Sequence, residues 1–226
     1  MHPFYAQSLP FIDRAVVSSE KMQNHLREFF NGPIEIIADP IEVQLRPPRT
    51  APINGTPKVL WFGHSTNIVY LVNYLENETL CDSNFNLLLL TNEAGAQIFS
   101  SRAIRVKGNI QVHLAPWSLS NMTVAANSCH ACLIPSNIED PRKSGASSNR
   151  LITALALGLP TLADELDSYA PYADYFCKIR TTKMSSFFEQ LDLEKEKITI
   201  AQKEIVPRYM PESLFQKWQS VLLSQE

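Results

Sequence analysis

The chain has 226 residues, 45% hydrophobic and 19% charged, enough to bury one substantial core with a small appendage. Its formal net charge of -3 lacks the basic excess or stripe of a nucleic-acid binder, so no nucleic-acid partner is expected. No apolar run approaches the roughly 20 residues that span a bilayer, and Met1-His2-Pro3-Phe4-Tyr5 lacks the regions of a signal peptide, so a cytoplasmic protein without a transmembrane segment is expected.

In chain order, 15–17 reads as a short apolar strand, and Ser18-Ser19 can cap a helix carrying Met22, Leu26, Phe29 and Phe30 at helical spacing. Asn31-Gly32-Pro33 stops that helix, and 34–37 is a second strand closed by Asp39-Pro40. One unit of this size cannot bury both faces of its strands, so 1–45 reads as the edge of something larger. Eight of the 15 prolines precede Lys58, and four of them crowd 46–57, which reads as an extended linker.

From Lys58 onward, strands and helices alternate. Strands are expected at 59–62, 87–90, 110–114, 131–134, 159–163 and 176–179. Helices are expected at 67–75 (capped by Asn67), around Ile98-Phe99, and at 119–126, 148–157, 169–175, 185–191 and 212–223. The pattern predicts an α/β fold with a doubly wound parallel sheet over 58–206, followed by a terminal segment at 207–226. Such sheets bind ligands outside the carboxyl ends of their strands.

Cys129-His130-Ala131-Cys132 has formal C-x-x-C spacing but runs into an apolar strand, where residues three apart point to opposite faces. No second pair completes a zinc site, so buried structural thiols and no metal are expected.

Lys143-Ser144-Gly145-Ala146-Ser147-Ser148-Asn149-Arg150 follows a buried strand and opens a helix. Its capping residues and free backbone N–H groups, with the helix dipole behind them and two cations beside them, form an anion site. The alternative is an ordinary capped helix with two solvated cations. Only seven glycines occur, and neither G-x-G-x-x-G nor a Walker sequence is present, so a helix terminus must hold any phosphate. His64 and Ser65, after the first strand, read as phosphate or sugar contacts or as a polar turn. Trp117 reads as a base-stacking residue or as packing. Glu139 is a candidate for sugar or ribose hydroxyls.

The run Asn149-Arg150-Leu151 through Ala154-Leu155-Ala156-Leu157-Gly158-Leu159-Pro160-Thr161 resembles the E-A-x-A-x-G-x-P-V helix and strand of family 4-like glycosyltransferases. Pro135-Ser136-Asn137-Ile138-Glu139 is similar to their P-S-x-x-E segment. The match departs at Thr153, which stands for the family's second Glu. It departs also in about six extra residues after Glu139, and in His64-Ser65-Thr66-Asn67, which replaces the basic residues that often follow the first strand. The resemblance implies the C-terminal half of a GT-B fold, a doubly wound Rossmann-like parallel sheet, with a small N-terminal α/β remnant at 1–45. It further implies a nucleotide-diphosphate sugar as substrate, no cofactor, and donor binding by Lys143, Ser144, Gly145, Ser147, Ser148, Asn149, Arg150, Glu139, His64, Ser65 and Trp117.

In that family the acceptor pocket and catalytic base come mostly from the other domain, so no catalytic residue is assigned here. The segment 206–223 resembles the helix that crosses back onto it, with Leu214, Trp218, Val221 and Leu222 as an apolar face. A separate acceptor-domain chain, or self-association through this helix, is the implied partner. The functional expectation is the donor-binding half of a glycosyltransferase; the alternative is a non-catalytic sugar-nucleotide-binding or assembly module. A receiver-like domain is disfavoured because Gly63-His64-Ser65, not an acidic cluster, follows the first strand.

Overall fold

The structure is a computed structural model and describes residues 7–49, 53–77, 79–102, 110–140, 143 and 145–223. The chain begins with strand β1 (Ala15–Val17), helix α1 (Glu20–Leu26) and strand β2 (Ile34–Ile36), and the two strands pair in parallel as a sheet of their own. The Ser19 hydroxyl accepts the Met22 N–H and so caps α1. Val17, Phe30 and Ile34 form a small buried cluster beneath it.

The main body is a six-stranded, all-parallel sheet. Its strands are β3 (Lys58–Phe62), β4 (Asn86–Thr91), β5 (Gln111–Pro116), β6 (Ala131–Ile134), β7 (Thr161–Ala163) and β8 (Cys177–Lys178). They lie side by side in the order β5-β4-β3-β6-β7-β8. Because the middle strands are covered on both faces, they are apolar without alternation: Val59 and Trp61 face one core, Leu60 and Phe62 the other. Helices α2 (Ile68–Leu75), α3 (Glu93–Ser101) and α6 (Met184–Glu189) cover the first face. Helices α4 (Leu119–Ser128) and α5 (Asn149–Ala156) cover the second, and α7 (Leu191–Glu204) contributes residues to both cores. The sheet is doubly wound as expected, and its order reverses between β3 and β6.

Several local expectations are corrected. Helix α7 falls where the sequence pattern showed none, because one of its buried positions is the charged Glu194. Asn67 makes no capping bond; its side-chain oxygen instead accepts from the Lys143 ammonium. Residues 46–49 are tied to the end of α5. The Arg46 N–H donates to Ala156 O and the Arg49 N–H to Gly158 O, each at 2.8 Å. The Gln202 amide donates to Arg46 O at 2.7 Å and to Leu155 O at 2.8 Å. The bonds to Leu155 O and Ala156 O satisfy carbonyls that the end of a helix leaves without intrahelical partners. All four cysteines are buried free thiols.

At the starts of β3 and β6, His130 and Lys58 exchange two bonds. The Lys58 N–H donates to His130 Nδ1 at 2.9 Å, and the His130 N–H to Lys58 O at 2.7 Å. An accepting Nδ1 requires neutral imidazole, and burial with the nearby Arg49 charge lowers the histidine pKa below its ordinary 6.5. The unfolded chain therefore takes up this proton near pH 6.5 and the folded chain only at lower pH, so stability is lost as pH falls below 6.5. His130→Asn keeps an acceptor near the Nδ1 position and cannot titrate. Urea unfolding at about pH 7.5 and about pH 5.5 is expected to show a smaller acid loss in this variant than in the unmodified protein; equal losses would refute the assignment.

After a 3-10 turn (Val206–Tyr209), helix α8 (Pro211–Leu223) turns back toward the N-terminal unit. Arg14 Nη1 donates to Val221 O at 2.8 Å, and Leu214 is buried. Phe215, Trp218, Leu222 and Leu223 remain exposed, as do Phe11 and Phe29 on the N-terminal unit. Among the described residues, no helix is long and apolar enough to cross a membrane.

Candidate functional site at the start of helix α5

The order reversal between β3 and β6 puts Gly63, the residue after β3, beside the first turn of α5. Arg150 projects from that turn against the end of β3. Its guanidinium carbon lies 5.2 Å from the centre of the Trp61 ring and 5.7 Å from that of Phe62. A Cβ on Gly63 would sit 3.4 Å from this carbon and 3.2 Å from the Trp61 ring, so a glycine here keeps room for the cation. Nε and Nη2 of Arg150 are enclosed and have no hydrogen-bond partner, which leaves Nη1 as the guanidinium nitrogen with access. Burial lowers the arginine pKa, but the ordinary value is so high that the group stays charged.

A buried cation with two unmade hydrogen bonds is costly. An unsatisfied buried donor costs about 1–3 kcal/mol, and more when it is charged. Stacking on two aromatic faces offsets part of this, about 2 kcal/mol for a desolvated pair. The first i to i-4 bond of α5 runs from the Ile152 N–H to Ser148 O at 3.1 Å, so the preceding N–H groups have no carbonyl in their own helix. Helix dipole and guanidinium together make this a positive site without a counter-ion among the described residues.

The loop before α5 is tied to its surroundings. The Ser147 hydroxyl accepts the Asn149 N–H at 3.1 Å, so it supplies a capping bond that Ser148 does not. Asn149 donates to Pro40 O at 3.1 Å and accepts from the Thr153 hydroxyl at 2.9 Å. The place a Cβ would take on Gly145 is filled by Met22, 2.8 Å away, and Gly145 O accepts from the Ser19 hydroxyl at 3.1 Å. Lys143 bonds Asn67 and lies 4.9 Å from the centre of the Tyr70 ring, whose hydroxyl donates to Asp140. Ser144 falls outside the described residues.

Six of the candidate residues divide among three recesses, and Arg150 and Ser147 line none of these three. Gly145 and Ser148 line a cleft of about 530 Å³ between the N-terminal unit and the main body, with Asn24, Tyr172, Arg208 and Tyr209. The Ser148, Tyr209 and Tyr172 hydroxyls form a chain on its wall, and the enclosed Ser168 hydroxyl there has no partner. Glu139 and Lys143 share a small recess with Lys21 and Asp167, which form an ion pair. Trp117 lies across α5 in a third, of about 150 Å³, with Glu42, Phe62, Asn149 and Thr153.

His64 and Ser65 are occupied in the turn after β3. The Ser65 N–H donates to Asn92 Oδ1 at 3.0 Å, and His64 Nδ1 accepts the Thr66 N–H at 3.4 Å. Glu42, Tyr172 and Tyr209 carried no sequence signal, because each reaches the site from a segment remote in sequence. Among the described residues, no group of His, Cys, Asp and Glu is arranged to hold a metal ion.

No protein-family model matches the sequence, and no curated protein sequence matches it. Solved structures do resemble the fold. TarM superposes with a TM-score of 0.63 at 15% identity over 98% of this chain and 45% of TarM. The GtfA/B complex gives 0.60 at 12% identity over 98% of this chain and 47% of that one. The lipopolysaccharide outer core galactosyltransferase WaaB gives 0.59 at 13% identity over 100% of this chain and 66% of that one. The class defined by the sheet order and these likenesses is the GT-B fold of glycosyltransferases. The chain spans about half the length of TarM and of the matched GtfA/B chain.

Proposed function

We propose that the chain is the donor-binding half of a glycosyltransferase and holds the diphosphate of a nucleotide sugar at the start of α5. The observation that carries this reading is Arg150, a cation with two enclosed, unpartnered nitrogens and no counter-ion among the described residues, at the point where the sheet order reverses. A phosphate there gains from the helix N-terminus, from Nη1 of Arg150 and from the low dielectric around it. The fold neighbours support the same reading: a variant of S. aureus TarM was crystallised with UDP and alpha-GlcNAc-glycerol.

The acceptor side falls to a partner surface in this proposal. A two-stranded parallel sheet has two unpaired edges and too little area to stand alone. Exposed Phe11 and Phe29 on this unit, and Phe215 and Leu222 on α8, offer apolar surface to another α/β unit, from a separate chain or a second copy. The GtfA/B neighbour is itself a complex. The expected behaviour of the chain alone is nucleotide binding without sugar transfer.

The test is a thermal-shift series with uridine, guanosine and adenosine diphosphates. A nucleotide at about 100 times its Kd stabilises the fold by about 2.7 kcal/mol, which raises Tm by roughly 5–10 °C in a chain of this size. Lys143→Ala is expected to reduce the shift modestly, since the Lys143 ammonium is already engaged by Asn67. If no nucleotide moves Tm at millimolar concentration, the reading fails.

A further inference from the structure

The recess beside Trp117 has a chemical asymmetry. The Asn149 amide is occupied by Pro40 and Thr153, and the Thr153 hydroxyl is spent on Asn149. Glu42 is exposed and has no hydrogen bond or ion pair among the described residues, so its carboxylate stands as an unpaired acceptor at the rim. Trp117 is 43% exposed, and with Phe62 it gives the recess aromatic walls. Asn149 lines the recess and directly precedes Arg150, so the recess adjoins the helix start.

We propose that this recess takes the base of the nucleotide and that Glu42 selects guanine. The inference rests on the donor-binding reading above and adds to it the identity of the base. A carboxylate only accepts hydrogen bonds, and it does so best from two parallel donors. Guanine presents such a pair, N1–H beside the N2 amine. Uracil offers one N–H between two carbonyls, and adenine offers an amine beside a bare ring nitrogen. Either base sets an acceptor against the Glu42 charge. The ring walls hold any base by stacking and so add affinity without selecting. Selection falls to the carboxylate, on a segment that connects the two α/β units rather than on the sheet itself.

The experiment is calorimetric titration of the protein with GDP, UDP, ADP and inorganic pyrophosphate, and of Glu42→Gln with GDP and UDP. A bidentate pair discriminates between bases by about ten-fold or more, so GDP is expected to bind at least that much more tightly than UDP or ADP. Glu42→Gln is expected to bring the ratio of GDP to UDP affinity close to one. This ratio is a readout that a merely structural role of Glu42 would not move. UDP or ADP binding as tightly as GDP would overturn the proposal and leave the donor site standing. So would a guanine preference that survives in Glu42→Gln, or binding of pyrophosphate with no gain from any base. If none of the four ligands binds, the donor-binding reading falls and this proposal with it.

Discussion

Arg150→Met is expected to abolish most nucleotide binding, by about 100-fold, while the protein unfolds at the same temperature or a higher one. Methionine is unbranched, has reach similar to the arginine stem and is at home between two aromatic rings. It therefore fills the space against Trp61 and Phe62 that the guanidinium now occupies. The variant removes a buried charge with two unmade hydrogen bonds, and replacing buried charged groups with well-packed apolar ones is neutral or stabilising by about 1–4 kcal/mol. Removing one side of a buried charged contact to a ligand costs about 2–5 kcal/mol of binding, and 100-fold, about 2.8 kcal/mol, lies in the lower half of that range. The two effects have opposite signs, as expected where a local rule of folding is broken for function. Thermal unfolding and calorimetric titration on one preparation read both. A lower Tm with unchanged nucleotide affinity would make Arg150 structural.

Gly158→Ala is expected to do the reverse and lower stability by about 3 kcal/mol, or roughly 6–12 °C in Tm, with little change in affinity. Gly158 has φ +71°, a conformation that costs an L-residue roughly 1–2 kcal/mol. The added Cβ would also lie 2.2 Å from Pro47 O and 2.9 Å from Arg46 O. Relief requires the 46–49 segment to move and give up its bonds to Ala156 and Gly158. These contacts sit at the far end of α5, about 12 Å along the helix from the phosphate site. A Tm within about 2 °C of the unmodified protein, read by circular dichroism, would contradict this account.

Much of this architecture was legible because physical demands on the sheet leave a mark in sequence. Strands covered on both faces must be apolar throughout, and runs such as 131–134 and 59–62 show it. Gly158 at the end of an apolar helix likewise announces the stop. Helix α7 was missed because Glu194, which bonds Lys197 at 2.7 Å, holds a buried position that the pattern requires to be apolar. Asn67 has the local signature of a cap because capping is the local use of asparagine, whereas its partner Lys143 lies 76 positions away.

The candidate site divides in the same way. Residues 143–150 declare a helix start next to a strand end, and this is where the loop lies. The division of its neighbours among three recesses depends on contacts from α1, from the 40–43 segment and from Tyr209, which have no local signature. From its neighbours in sequence Arg150 reads either as a phosphate ligand or as a solvated cation. Its enclosure follows from the absence of a side chain at Gly63 and from rings at Trp61 and Phe62, roughly 90 positions away.

A crystal structure with GDP or UDP would show whether a diphosphate sits at the start of α5 against Arg150. Phosphate oxygens are expected within about 3 Å of the Arg150 guanidinium and of backbone N–H groups in the first turn of α5. A nucleotide bound with its phosphates elsewhere, and Arg150 still enclosed without a partner, would contradict this.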